Sequence, residues 1–354
     1  MDSKKYVAVL YGITTLLLLT NAFINYKYDL YGVFDKNFDK PRFAYINQRY
    51  AKMDYLLNEG KGKFDTIIFG SSRSEGIVPS NISDKTYSLT YSSGIPNDYL
   101  RDLKTLIDNG VKLQTIYLGI DEFDYKKNPL ELSNSINYVG YGTFSQNLKY
   151  KLSLLFRWPG KKGFQYMTKT LKDYETIYYI DKDGSRQGFE KSSNKIDWHK
   201  YVNDRKFNEP TGNPEKNARI AEVIKEIQEI KSLCDVNGID LEVYFTPTHI
   251  TTYLSDDIDN LNEFKRQLAN VIEFKDFSTI NFMTINNCYW QETSHAGRQI
   301  LEMVTECLLN KNIDKMPQDF CIVVSKENIE SHLDKMKKDR KEYVASKHDQ
   351  FIPR

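Results

Sequence analysis

Ser72, Glu292 and His295 are the residues of this chain whose types and spacing could do chemistry. Ser72 follows a short apolar run, Thr66 to Phe69, that ends abruptly at Gly70-Ser71, and Arg73 comes directly after it. A serine hydroxyl is a weak nucleophile until a positioned base takes its proton. Histidine suits that task because its ordinary pKa, ~6.5, lies near neutral pH. A carboxylate on the far ring nitrogen then selects the tautomer and stabilises the imidazolium. There are five histidines, at 199, 249, 295, 332 and 348. His295 has the best context, because Glu292 lies three residues before it and can reach its ring without long-range assembly. His249 ends Thr246-Pro-Thr-His249 and stands as the rival base or as a substrate contact. His332 and His348 sit in a charged tail and read as solvated; nothing around His199 marks it out.

Each of these residues also has a plainer reading. Ser71 and Ser72 could cap a helix N-terminus. His295 could be an ordinary residue at the start of the next helix, and His249 part of a strand-end loop. Arg73 could neutralise an anionic substrate, or pair with Glu75 or Asp121. Ser74 stands where a Gly-x-Ser-x-Gly elbow needs its last glycine, which argues against an ordinary α/β-hydrolase.

The elements that must hold these residues alternate between strand and helix. Thr66–Phe69 reads as a buried strand, Thr86–Leu89 as a second that leads to Tyr91-Ser-Ser-Gly94, and Leu113–Ile120 as a third ending in Gly119-Ile-Asp121. Such apolar runs suit central parallel strands. Pro96 opens a helix to about Asp108, since proline costs least at the first helical position. A second helix is predicted from Ala218 to about Val236, a strand over Leu241–Phe245, and helices over Leu261–Val271, Gly297–Leu309 and about Asn328–Lys347. Between about 126 and 215 the alternation stops. This insertion carries a hairpin signal at Tyr178–Gly184 and could cap a site; its aromatics, including Trp158 and Tyr166, read as core. Alternating strands and helices imply an α/β three-layer sandwich with a central parallel sheet. Ligands then bind outside the carboxyl ends of the strands.

Composition narrows the rest. The 354 residues carry 49 basic and 48 acidic side chains, a net charge of +1, so no basic field favours nucleic acid. The four cysteines, at 234, 288, 307 and 321, match no zinc or CxxC spacing and read as buried thiols. No metal or cofactor is called for. Tyr6 to Ile24 is apolar apart from a few small polar residues and is long enough for a bilayer, which needs ~20 residues. Lys4 and Lys5 before it, and Asp29 beyond it, favour an N-in, C-out anchor over residues 1–28. Residues 29–354, insertion included, would then form one extracytoplasmic domain on the cell membrane.

Gly70-Ser-Ser-Arg73 after a first strand, Gly94 after a second, and Glu292-x-x-His295 near the end resemble the SGNH hydrolase superfamily, whose sheet is flavodoxin-like. The nearer likeness is its membrane-anchored branch, which includes the teichoic-acid alanylation and alginate acetylation proteins. It covers roughly residues 64–310 without the insertion. The resemblance implies Ser72 as nucleophile, His295 as base, Glu292 as its orienting carboxylate, and Gly94 with the Ser72 N–H as oxyanion donors. Ser71, Arg73, Asp121 and His249 would border the substrate. The sequence departs from the pattern at Ser71 and Glu292, where the superfamily has Asp, and at Asp121, where it has Asn; Asn97 is the nearest substitute.

Two functions follow. One is a serine acyltransferase or esterase acting on O-acyl groups of a cell-surface polysaccharide or polymer, with a polytopic membrane acyltransferase implied as donor partner. The other is a non-catalytic scaffold or glycan-binding component of an envelope assembly.

Overall fold

The computed structural model describes residues 3–35, 46–130, 138–168, 179–187, 198–209 and 218–348. Its strands are β1 (Thr66–Gly70), β2 (Thr86–Thr90), β3 (Thr115–Ile120), β4 (Tyr179–Ile180), β5 (Arg186–Gln187), β6 (Asp240–Phe245), β7 (Phe274–Asp276), β8 (Trp290–Glu292), β9 (His295–Ala296) and β10 (Ile322–Val324). Its α-helices are α1 (Ser3–Tyr28), α2 (Gln48–Leu57), α3 (Pro96–Asp108), α4 (Phe144–Leu155), α5 (Gly160–Thr168), α6 (Trp198–Val202), α7 (Ile220–Asn237), α8 (Ile250–Ser255), α9 (Ile258–Val271), α10 (Phe282–Ile285), α11 (Arg298–Leu308) and α12 (Ile329–His348). They fall into two compact units. One holds residues 1–61, 130–182 and 186–191; the other holds 62–129, 183–185 and 192–354.

The larger unit is built on a six-stranded sheet in the order β2-β1-β3-β6-β7-β10. All pairings are parallel except β10 against β7. The fold class is thus α/β with a mostly parallel central sheet. The first five strands follow the doubly wound order, whose direction of winding reverses between β1 and β3. β1 is buried along its whole length, as an apolar strand paired on both sides must be. Helices cover both faces. Phe69 meets Tyr99 of α3 at 5.6 Å and Phe245 meets Phe264 of α9 at 6.2 Å. On the other face, Ile300, Leu301 and Val304 of α11 pack with Ile68, Tyr117 and Tyr244.

The strands read from sequence are present within a residue or two. β7 and β10 were not legible, because three residues are too few to show a period and Lys275 interrupts the first. Two further expectations are corrected. Cys307 and Cys321 form a disulfide between α11 and the segment before β10; Cys234 is a buried thiol and Cys288 an exposed one. His332 is buried rather than solvated: it hydrogen-bonds to Asp276 at 2.8 Å. The side chains of His199 and His348 lie outside the described residues.

The smaller unit packs the end of α1 against α2 and α4 around Leu30, Tyr31, Val33, Tyr50, Tyr150 and Leu154. Asn47 caps α2, and its amide donates to the Val139 carbonyl and the Tyr150 hydroxyl. The predicted hairpin forms as β4 paired with β5. α1 itself is long and apolar enough to cross a membrane, and only Ala22 and Asn25 along it are buried.

One buried polar cluster ties the far edge of the sheet to α9 and α12. Asp276 receives Lys265 Nζ at 2.6 Å and His332, with both Lys265 and Asp276 fully buried. Burial pushes the Asp276 carboxyl up, but Lys265 and His332 outweigh it and hold it well below the ordinary carboxylate range. A carboxyl depressed in the folded state stabilises above its unfolded pKa of ~3.9 and loses that contribution as pH falls below it. Asp276→Ala strands a buried ammonium and should cost about 3–5 kcal/mol. Urea unfolding at pH 7 checks this, and the gap between variant and wild type should narrow in wild-type unfolding below pH 4.

Candidate active site

The chain leaves β1 through a tight turn made possible by two glycines. A Cβ on Gly70 would lie 2.5 Å from Ser74 Oγ, and one on Gly119 would lie 2.6 Å from the same atom. Ser74 fills this gap and accepts a hydrogen bond from the Tyr244 hydroxyl of β6 at 2.8 Å. Its N–H donates to the Ser71 carbonyl at 3.0 Å, which closes the turn. The Ser71 hydroxyl accepts from the Arg73 N–H at 3.1 Å, and Ser71 is fully buried. Ser71 therefore caps a turn rather than the helix N-terminus of the plainer reading, while Ser72 beside it stays partly exposed.

Ser72 meets His295 although 223 residues separate them. Its Oγ lies 2.9 Å from His295 Nε2. On the far side of the ring, Nδ1 is hydrogen-bonded to Glu292 Oε1. An ionised carboxylate only accepts, so Nδ1 carries the proton and Nε2 is left as the acceptor facing the serine. Glu292 and His295 are cross-strand partners in the hairpin of β8 and β9, with Thr293-Ser294 as its turn. The longer glutamate arm is thus accommodated across a two-residue turn. Ser294 adds two donors to the carboxylate, its N–H at 2.8 Å and its hydroxyl at 2.7 Å. Partial burial raises the Glu292 carboxyl, but the hydrogen bonds from His295 and Ser294 prevail and bring it down to about 2. It is therefore charged at any pH at which the histidine could act as a base.

The hairpin is rigidly seated. Trp290 is fully buried and its indole N–H donates to the Met283 carbonyl at 2.8 Å. Tyr201 donates to the Trp290 carbonyl at 2.6 Å. Gly297, which starts α11, sits where a Cβ would meet the Tyr289 carbonyl oxygen at 2.5 Å. These contacts seat the strand that carries His295.

The remaining site residues take other places. The Gly94 N–H donates to the Tyr91 carbonyl at 3.1 Å, so it is not free for a bound oxyanion. Glycine is required there because a Cβ would lie 2.6 Å from the Tyr99 hydroxyl. Arg73 is buried, and its guanidinium pairs in two places with Glu122, with Asp121 4.0 Å away. Its principal partner is thus Glu122, which the sequence did not single out, with Asp121 as a more distant ion-pair partner. Asp121 is fully buried; it accepts from Thr246 Oγ1 and its N–H donates to Asp124 Oδ2 at 2.9 Å. Asn97 points to Glu226 on α7 at 3.2 Å. His249 is buried as the N-cap of α8: Nδ1 accepts from the Thr251 N–H, and Nε2 faces Asn287 Oδ1 at 2.9 Å. It borders a cavity of about 530 Å³ with Phe207, Ile250, Leu254 and Asn287, in whose lining Ser72, Glu292 and His295 take no part. Among the described residues, no group of His, Cys, Asp and Glu is arranged to hold a metal ion.

Sequence reasoning missed Ser74, Ser294, Glu122 and Tyr244. Ser294 alone carried a local signal, since it lies inside the Glu-x-x-His segment. What the fold and site define is an α/β domain with a serine–histidine–glutamate array at the switch point of its sheet. In comparison with known proteins, no family model and no curated protein sequence matches the chain.

The glycine gap generates a test. Gly119→Ala inserts a methyl against Ser74 and Tyr244, and overpacking of this kind costs about 1–3 kcal/mol. The thermal midpoint should fall, and the Ser74→Ala, Gly119→Ala double variant should recover part of the loss. Equal loss in the single and double variants would show that the gap does not hold the turn.

Proposed function

We propose that this protein is an extracytoplasmic serine acyltransferase or esterase that works through an acyl-serine intermediate on O-acyl groups of a cell-surface polysaccharide or polymer. The observation that carries the reading is the 2.9 Å approach of Ser72 Oγ to a His295 whose other nitrogen is held by Glu292. In the reaction, Ser72 Oγ attacks the acyl carbonyl while its proton passes to His295 Nε2. The tetrahedral oxyanion collapses, the C–O bond to the leaving alcohol breaks, and that oxygen takes the proton from His295. A sugar hydroxyl or water then enters by the same path, giving its proton to His295 as it attacks the acyl-serine. Glu292 holds the tautomer and balances the imidazolium throughout. The Ser72 N–H, which has no partner among the described residues, is the available oxyanion donor. Such donors are each worth about 3–4 kcal/mol of barrier.

The resemblance to the membrane-anchored SGNH branch supplies the substrate class and suggests a polytopic acyltransferase as acyl donor. Two observations support a location outside the cytoplasm. Lys4 and Lys5 precede an apolar α1, as in a helix that keeps its N-terminus inside. The Cys307–Cys321 disulfide suits an oxidising compartment.

The second reading, a non-catalytic scaffold or glycan-binding component, is favoured by the engaged Gly94 N–H and by Asp121, a carboxylate acceptor in the place of a donor. A fluorophosphonate probe separates the two. The wild type should label, Ser72→Ala should not, and Glu292→Gln should label roughly 10²–10⁴ times more slowly because the ring loses its tautomer and counter-charge. A wild type as inert as Ser72→Ala would favour the scaffold.

A further inference from the structure

Among the described residues, an apolar stripe in the smaller unit stands exposed. Phe144, Leu148, Leu152 and Phe156 recur at intervals of four from the first residue of α4 to its C-cap, which places them along one line of the helix. They are 84%, 47%, 45% and 47% exposed, and Trp158 just beyond is 69% exposed. Tyr150 and Leu154, on the opposite face of the same helix, are buried in the core of the unit. Lys149 and Ser153 form the exposed polar flank. The stripe is therefore surplus to folding, and Trp158 is not core as its sequence context implied. Large apolar side chains left in water in one row mark an interaction surface.

The position of this helix identifies the occupant. The end of α4 is tied to α1, the helix long and apolar enough to cross a membrane. Asn25 donates to the carbonyls of Leu155 at 2.8 Å and Arg157 at 2.7 Å, and Asn21 donates to that of Arg157 at 3.2 Å. The Leu155 carbonyl is among those a helix end leaves unsatisfied, and that of Arg157 lies just beyond the C-cap Phe156. Asn21 lies about two turns, ~10 Å along the axis, before the end of α1 at Tyr28. With α1 spanning a bilayer, that is the level of the outer headgroup boundary. Trp158 packs edge-on against Phe164 of α5 there, at 5.2 Å. Exposed tryptophan beside lysine and arginine is the composition of a membrane interface.

We propose that α4 is an interfacial helix. It lies at the surface of the bilayer that α1 crosses, with Phe144, Leu148, Leu152, Phe156 and Trp158 set into the headgroup–acyl boundary. This rests on the membrane-anchor reading of α1 and adds a second attachment to it. Two attachments at an angle would restrict rotation of the smaller unit about the α1 axis.

The test uses the full chain in lipid nanodiscs, in a Cys288→Ser background that removes the exposed thiol. An environment-sensitive fluorophore is placed singly at Leu148→Cys, Leu152→Cys, Ser153→Cys or Leu17→Cys. Lipids carrying a nitroxide at headgroup depth should quench the labels at 148 and 152 roughly threefold more strongly than the label at 153, as expected for a face buried ~5–10 Å into the boundary. A deep nitroxide should quench the label at 17. Quenching at 17 with none at 148 or 152 would overturn the interfacial helix and leave the anchor standing, and would direct the stripe to a protein partner instead. No quenching at any position would overturn the anchor and this inference together.

Discussion

The geometry of the site depends on one small hydrogen bond, from the Tyr244 hydroxyl to Ser74 Oγ, made in the gap between Gly70 and Gly119. Side chains on neighbouring parallel strands would ordinarily fill that space. With both strands bare there, the chain leaving β1 can fold back over its own end. Ser74 goes down into the gap, Ser71 is sealed beneath the turn, and Ser72 is the residue left facing outward. Tyr244 lies on β6, so the turn after the first strand is held by a strand 170 residues later.

His295 reaches the same place by a different strategy. Its carboxylate partner is supplied locally, across a two-residue hairpin, and the hairpin as a whole is seated by the buried indole of Trp290 and the packing of α11 on the sheet. The orienting pair is thus made within one local segment. Against partial burial, hydrogen bonds from His295 and then from Ser294 keep Glu292 ionised. This division lets a short segment hold the chemistry while the sheet and one helix determine where that chemistry points.

Beneath the serine turn lies a buried charge cluster that the sheet ends bring together. Asp121, Glu122, Asp124 and Asp256 face Arg73 and Lys126, an excess of carboxylates over cations. Burial, and then the nearness of Asp121, pushes the Asp124 carboxyl well above its ordinary value, while the Asp121 N–H, Lys127 and Arg73 pull it back. Arg73 is consumed by this cluster. Its charge serves the floor of the site through Glu122, with both terminal nitrogens of the fork engaged there.

What the sequence determined by itself is whatever depends on near neighbours in the chain. The apolar run of β1 and its stop at Gly70 placed Ser72 at a strand end. Glu292-x-x-His295 announced an orienting pair because both residues lie within one turn. Pro96 and the helical stripes placed α3 and α7, and the apolar length of α1 needed no packing partner to be read. The tertiary structure decided the fate of polar residues that must find distant partners once buried: Arg73 with Glu122, His249 with Asn287, Asn97 with Glu226 and His332 with Asp276. It also reassigned Gly94, whose missing side chain makes room for Tyr99, and paired Cys307 with Cys321. A buried polar group is bound to satisfy its hydrogen bonds, but the choice of partner is made by which surfaces the sheet brings into contact. That choice has no local signature in the chain.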